Sequence, residues 1–237
     1  MFNDLKVKNS SIIISYFHLR QLIGVLGMLL PIICIGGGYF FAELPIQRSI
    51  SFYYHTNMRD FFVGLMVCVS LFLITYKGYD KRDQIVTTIS GIAGFGIAFF
   101  PCLKCPKEIL PIGIFQWSPS FSNKIHITSA LIFFTLLGFN SMLLFTLNQT
   151  GWKKRVYQWC GGIILGCIVS LSILTLTVNN DYLDEHCVIL FFETIMLFSF
   201  GFSWWVKGKA LEALVALSAL VKERTLSYLS GLARRLK

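Results

Sequence analysis

Residues 21–41 read QLIGVLGMLLPIICIGGGYFF, twenty-one positions without a charged side chain. A helix of about 20 predominantly apolar residues is long enough to cross the roughly 30 Å hydrocarbon layer of a bilayer. Five further apolar blocks follow, at 61–76, 85–100, 125–147, 160–178 and 188–206, and nearly every charge falls between them. The second and third blocks are short, and residues 52–60 and 83–84 lengthen them. The pattern predicts an all-α polytopic membrane protein, a six-transmembrane-helix bundle.

Composition points the same way. Of 237 residues, 55% are hydrophobic and 14% charged, and 22 are phenylalanine. A soluble domain of this size has too few polar groups here to cover its surface.

Sidedness follows from the basic residues. Lys6, Lys8 and Arg20, then Lys77, Lys81 and Arg82, then Lys153, Lys154 and Arg155 alternate with loops poorer in charge. The tail adds Lys207, Lys209, Lys222, Arg224, Arg234, Arg235 and Lys237 to the same side. The opposite side carries Arg48, Arg59, Lys104, Lys107 and Lys124, and its last loop has Asp181, Asp184 and Glu185 instead. The positive-inside rule then puts both termini in the cytoplasm. The net charge of +9 is a topology signal. It forms no basic domain or motif, so nucleic acid is not an expected partner. No cleavable signal peptide is expected, since 21–41 follows twenty mixed residues without a small-x-small site.

The chain divides into a cytoplasmic or interfacial segment at 1–20, a membrane domain at 21–206 and a tail at 207–237. In the tail, Leu211, Leu214 and Leu217, then Leu226, Leu229, Leu232 and Leu236, recur at helical spacing. They predict an amphipathic helix at the cytoplasmic interface. Gly24 and Gly27, and Gly91, Gly94 and Gly96, predict close helix contacts. Pro31 is a kink position that neighbouring helices can absorb. Asn57, with Asp60 three residues later, has the spacing of a helix cap. The 101–124 segment, with Ile109, Leu110, Ile112, Ile114, Phe115 and Trp117, reads as an apolar plug on the outer surface.

The residues able to do chemistry gather toward that outer side. His55, His126 and His186 are candidate zinc ligands, because imidazole nitrogens bind Zn²⁺ and leave a position for water. In this reading metal-bound water attacks a lipid ester or amide, and Asp60 positions or deprotonates it. Ser51 or Arg59 would steady the oxyanion. Arg59 could equally hold an anionic headgroup by paired hydrogen bonds or snorkel to the surface. Separate interfacial histidines are the plainer alternative. Glu193 follows His186 by seven residues, so one continuous helix sets them on one side, about 10 Å apart. It is the candidate for a polar pathway in a channel or transporter. Cys102-Leu103-Lys104-Cys105 lies where a disulfide persists, and two nearby thiols also suit a membrane thiol oxidoreductase.

The stretch SISFYYHTNMRDFFVG at 49–64, with YKGYD at 76–80, 91–101 and IHITSA at 125–130, resembles uncharacterised bacterial multi-helix integral membrane proteins over roughly residues 20–205. That resemblance implies a polar constellation at the outer face of a bacterial inner (plasma) membrane protein. Ser51-x-x-x-His55 also resembles an element of the membrane hydrolase superfamily of alkaline ceramidases and progestin and adipoQ receptors. That likeness implies a serine, an aspartate and three zinc-bound histidines acting on lipid amides. The chain departs from the pattern in its early Asp60, its lack of a paired HxxxH and its six expected spans in place of seven. The expected function is binding or processing of a lipid or amphiphile at the outer face, with membrane lipids as partners.

Overall fold

The computed structural model describes residues 2–78, 80–103, 111 and 113–209, with side chains from residue 17 onward. Cys105, Lys104, Lys107, Ile109, Leu110, Ile112 and the amphipathic tail beyond Lys209 lie outside the described residues.

The chain is all-α among the described residues. α1 (Phe2–Pro31) runs on through a π-helical turn (Ile32–Gly37) into α2 (Gly38–Phe41). A short 3₁₀ turn (Ser51–His55) leads to α3 (Arg59–Thr75) and α4 (Lys81–Phe99). α5 (Pro119–Phe139) ends in a second π-helical turn (Asn140–Leu144), and α6 (Gly151–Thr177), α7 (Asn180–Glu185) and α8 (Val188–Lys207) follow. Pro31 does not break the first helix. A proline lacks the N–H and crowds the carbonyl four residues back; in a membrane neighbouring helices absorb that, and a π-helical turn begins at the next residue.

Helix starts are set locally. Asp80 accepts from the Arg82 N–H and caps α4, and Asn179 does the same for α7. The Asn57 cap is not used. Met58 occupies the capping position of α3 without a side-chain bond, and Thr56 Oγ1 accepts the Met58 N–H at 3.1 Å.

Six helices close a ring. α1 packs on α3, α3 on α4, α4 on α5, α5 on α6, α6 on α8, and α8 returns to α1. Helices consecutive in the chain lie side by side, the commonest arrangement. Phe62, Met66, Phe133, Leu137, Leu197, Phe200 and Trp204 fill the centre, each no more than 3% exposed. The outside is apolar as well, with Phe41 90% and Leu176 86% exposed. In water such surface marks an interaction site; here it faces lipid. Among the described residues four helices are long and apolar enough to cross a membrane: 17–41, 119–144, 151–177 and 188–207. α3 has 17 residues, and α4 opens on Lys81, Arg82, Asp83 and Gln84. This is a multi-pass membrane protein.

Lipid tails are as apolar as leucine, so helices join here through close packing and hydrogen bonds. The expected glycine contacts are present. Gly24 meets the backbone of Gly201 and Trp205, Gly27 meets Phe200, and Gly91 meets Ser70 and Ile74.

Candidate functional site

The bundle end that carries His55 is built around the connection leaving α4. This backbone is not helical from Phe100 to Leu103, so its carbonyls need partners from elsewhere. Four successive carbonyls each receive a side chain. His126 Nδ1 meets the Phe100 oxygen at 2.7 Å, and Ser122 Oγ donates to Pro101 at 3.1 Å. His55 Nε2 meets Cys102 at 2.7 Å, and Arg48 Nη2 donates to Leu103 at 2.8 Å. A carbonyl only accepts, so the ring nitrogen facing it carries the proton. Asn123 Oδ1 accepts the Leu103 N–H at 2.9 Å.

Arg48 ties in the last loop too. Its Nη1 pairs with Asp184 Oδ2 at 2.6 Å, its guanidinium lies 4.3 Å from the Phe52 ring centre, and its carbonyl accepts the Leu190 N–H at 3.0 Å.

Glu193, from α8, reaches the 3₁₀ turn. Its carboxylate accepts from the Ile50 N–H at 2.5 Å, the Ser51 N–H at 3.4 Å and Ser51 Oγ at 3.3 Å. A carboxylate thus caps a helical turn whose first N–H groups have no partner of their own. Beside it lies a cavity of about 20 Å³ lined by Ser51, Phe62, Met66, Phe133 and Leu197. That volume admits one water molecule. Burial raises the pKa of the Tyr53 phenol in the same turn.

The zinc expectation fares differently. His55 and His126 come to the same backbone segment, each with a nitrogen engaged by a carbonyl. His186 stands apart: it is exposed, stacks 4.0 Å from the Tyr182 ring centre and faces the Tyr182 carbonyl at 3.0 Å. Cys187 adopts a left-handed conformation, φ 51°, just before α8. The helical register that would align His186 with Glu193 is broken there. Among the described residues no three His, Cys, Asp or Glu side chains form a group able to hold a metal ion. Cys102 is half-buried; its proposed partner Cys105 lies outside the described residues.

Arg59 and Asp60 begin α3 and are both exposed. Arg59 Nη2 donates to Tyr54 Oη at 2.8 Å, and its guanidinium lies 4.4 Å from the Tyr54 ring centre. Among the described residues no carboxylate pairs with it. Arg59 and Asp60 both line a groove of about 520 Å³ between α3 and the end of α4, with Val63, Gly64, Ala98, Phe99 and Ile114. Phe99 also lines a second, apolar groove of about 380 Å³ between α4 and α5. Phe100, Phe115, Trp117 and Phe121 cluster beside these grooves, with ring centres 4.8–5.8 Å apart. Phe115, Trp117 and Phe121 are exposed, as an interfacial aromatic belt requires.

The opposite end holds a buried polar cluster of Arg20, Tyr76, Asp83 and Lys207 that sequence reasoning missed. Each charge was legible only as a flank of an apolar block. The one available signal was that Arg20 and Lys207 directly abut two such blocks while Asp83 lies inside the extension of a third. No protein-family model, curated protein or solved structure matches the chain.

Proposed function

We propose that this is a six-pass bacterial inner-membrane protein that binds an anionic, phospholipid-type amphiphile in the Arg59 groove at its outer face. α3 and α4 lie between two longer spans in a closed ring, which supports their crossing alongside them. The basic excess at the Arg20 end supports cytoplasmic termini.

One observation carries the binding reading. An exposed guanidinium, oriented by Tyr54 and with no carboxylate paired to it among the described residues, lines a groove at a helix end whose other lining residues are mostly apolar, Asp60 and Gln116 excepted. Guanidinium binds phosphate through paired hydrogen bonds, and the start of α3 adds the positive end of a helix dipole. Val63, Gly64 and Phe99 accept the chain of an amphiphile arriving sideways from the bilayer. Binding is favoured over hydrolysis, because His55 and His126 serve the backbone and Ser51 serves Glu193.

The test is titration of the detergent-purified protein with short-chain phosphatidylglycerol and phosphatidylcholine. Arg59→Ala is expected to weaken the anionic lipid by roughly 10- to 100-fold, the equivalent of one charge-assisted hydrogen-bond pair. It should leave the zwitterionic lipid unchanged. Equal loss of both lipids, or of neither, would contradict the proposal.

A further inference from the structure

The polar lining of the Arg59 groove is not made of donors alone. Tyr54, Arg59, Asp60 and Gln116 all border it. Asp60 follows Arg59 at the start of α3, is exposed, and makes no hydrogen bond or ion pair among the described residues.

Gln116 comes from the turn that precedes α5, and this turn is tightly built. Gly113 has φ 86°, and a Cβ there would lie 2.9 Å from the Phe99 carbonyl oxygen and 2.9 Å from Pro101 Cδ. Ile114 donates its N–H to that same Phe99 oxygen at 3.4 Å, which ties the turn to the end of α4. Gln116 is left-handed, φ 51°, a conformation uncommon outside glycine. It is held twice on the Gly113 carbonyl, by its own N–H at 3.2 Å and by Nε2 at 2.9 Å. A carbonyl only accepts, so the second bond fixes which way the amide points. The nitrogen is engaged, and Oε1 remains as an acceptor.

Hydrogen-bonding capacity decides what fits among these groups. Arg59 only donates. Its Nη2 is engaged with Tyr54 Oη at 2.8 Å, and its other N–H groups have no acceptor among the described residues. Tyr54 Oη accepts that bond and keeps its own proton to donate. Asp60 and Gln116 Oε1 only accept. The groove therefore presents donors and acceptors together. A bare phosphate can use the donors alone, and the Asp60 carboxylate repels its charge; such like-charge contacts are a common means of rejecting a wrong partner. A choline headgroup carries no N–H or O–H and leaves both acceptors unpaired. An ammonium suits Asp60 but cancels the negative charge that Arg59 favours. A phosphodiester followed by hydroxyls uses all four side chains, with phosphate on Arg59 and Tyr54 and hydroxyls on Asp60 and Gln116.

We propose that Asp60 and Gln116 select the headgroup in this groove, and that the ligand is a phosphodiester lipid with a glycerol-type, hydroxyl-bearing substituent. The inference rests on the reading of the Arg59 groove as a site for anionic lipid, and adds the residues that tell one anionic headgroup from another. A site built to hydrogen-bond a hydroxyl rejects an analogue lacking it far more strongly than an apolar pocket rejects a missing methylene.

The full chain in detergent is titrated with short-chain phosphatidylglycerol, phosphatidic acid, phosphatidylethanolamine and phosphatidylcholine of equal acyl length. Wild type is expected to bind phosphatidylglycerol at least about tenfold more tightly than any of the others. Asp60→Ala is expected to bind phosphatidylglycerol more weakly and phosphatidic acid more tightly, because it removes an acceptor and a repelling charge together. Damage to the fold would weaken both and cannot produce that crossing. Gln116→Gly adopts the left-handed backbone freely, and it should weaken phosphatidylglycerol while leaving phosphatidic acid unchanged. Equal binding of these two lipids by wild type, each dependent on Arg59, would overturn the selection and leave the Arg59 site standing. Loss of Arg59 dependence for both would remove the site itself. Tighter binding of phosphatidylethanolamine than of phosphatidylglycerol would place an ammonium at Asp60 and overturn the hydroxyl assignment. An unchanged ratio of phosphatidylglycerol to phosphatidic acid affinity in either variant overturns the proposal equally.

Discussion

Replacing Gly24 with valine is expected to leave little folded protein. A Cβ at Gly24 would lie 2.5 Å from the Gly201 carbonyl oxygen and 2.6 Å from the Trp205 nitrogen. Both are backbone atoms of α8, so no side chain can rotate out of the way. The contact is reciprocal, because a Cβ at Gly201 would lie 2.5 Å from the Gly24 oxygen. This is where the ring closes between α1 and α8. Overpacking of a core costs typically 1–3 kcal/mol; here backbone is forced from backbone, and about 3 kcal/mol or more is expected. Gly166→Val is the control, since a Cβ at Gly166 meets nothing within 4 Å. The check is the yield of monodisperse protein in detergent and its unfolding temperature. Equal behaviour of the two variants would rule out the α1–α8 contact as described.

Glu193→Leu is expected to cost about 3 kcal/mol as well. The Ile50 and Ser51 N–H groups and the Ser51 hydroxyl would lose their acceptor, and each unsatisfied buried group costs roughly 1–3 kcal/mol. The loss also reaches the outer face. The 3₁₀ turn that Glu193 holds carries Tyr54, which orients Arg59, and His55, which holds the Cys102 carbonyl. Glu193→Leu should therefore weaken binding of anionic lipid in addition to lowering the unfolding temperature. Glu193→Gln keeps one acceptor oxygen and should fall between. A variant with normal stability and normal lipid binding would show that the carboxylate does not hold this turn.

The helices were legible where their ends are marked by chemistry. The apolar block at 188–206 is almost α8 itself, because Cys187 turns left-handed before it and Gly208 follows it. The block at 160–178 underestimates α6, which begins at Gly151. Lys153, Lys154 and Arg155 are helical yet carry the charge that ends a hydropathy signal. At the candidate site, hydropathy and spacing brought His55, Ser51, Arg59, Asp60, His126 and Glu193 to one end of the bundle. They did not supply the partners. The carbonyls of 100–103 are reached from positions 48, 55, 122 and 126, and only the closed ring brings those together. For the same reason three histidines suggested a metal, while two of them satisfy backbone and the third lies beyond a helix break.

The central claim is that an anionic amphiphile occupies the groove lined by Arg59. Cross-linking from single cysteines at Val63 and Ile114 to a photoreactive anionic lipid, in liposomes with the probe in the outer leaflet alone, tests it most directly. Leu176, on the lipid-facing side of α6, serves as the reference. Labelling at Val63 and Ile114 is expected to exceed that at Leu176 by at least about tenfold, and to fall to the reference level in Arg59→Ala. Uniform labelling of all three positions, unaffected by Arg59→Ala, would contradict the account.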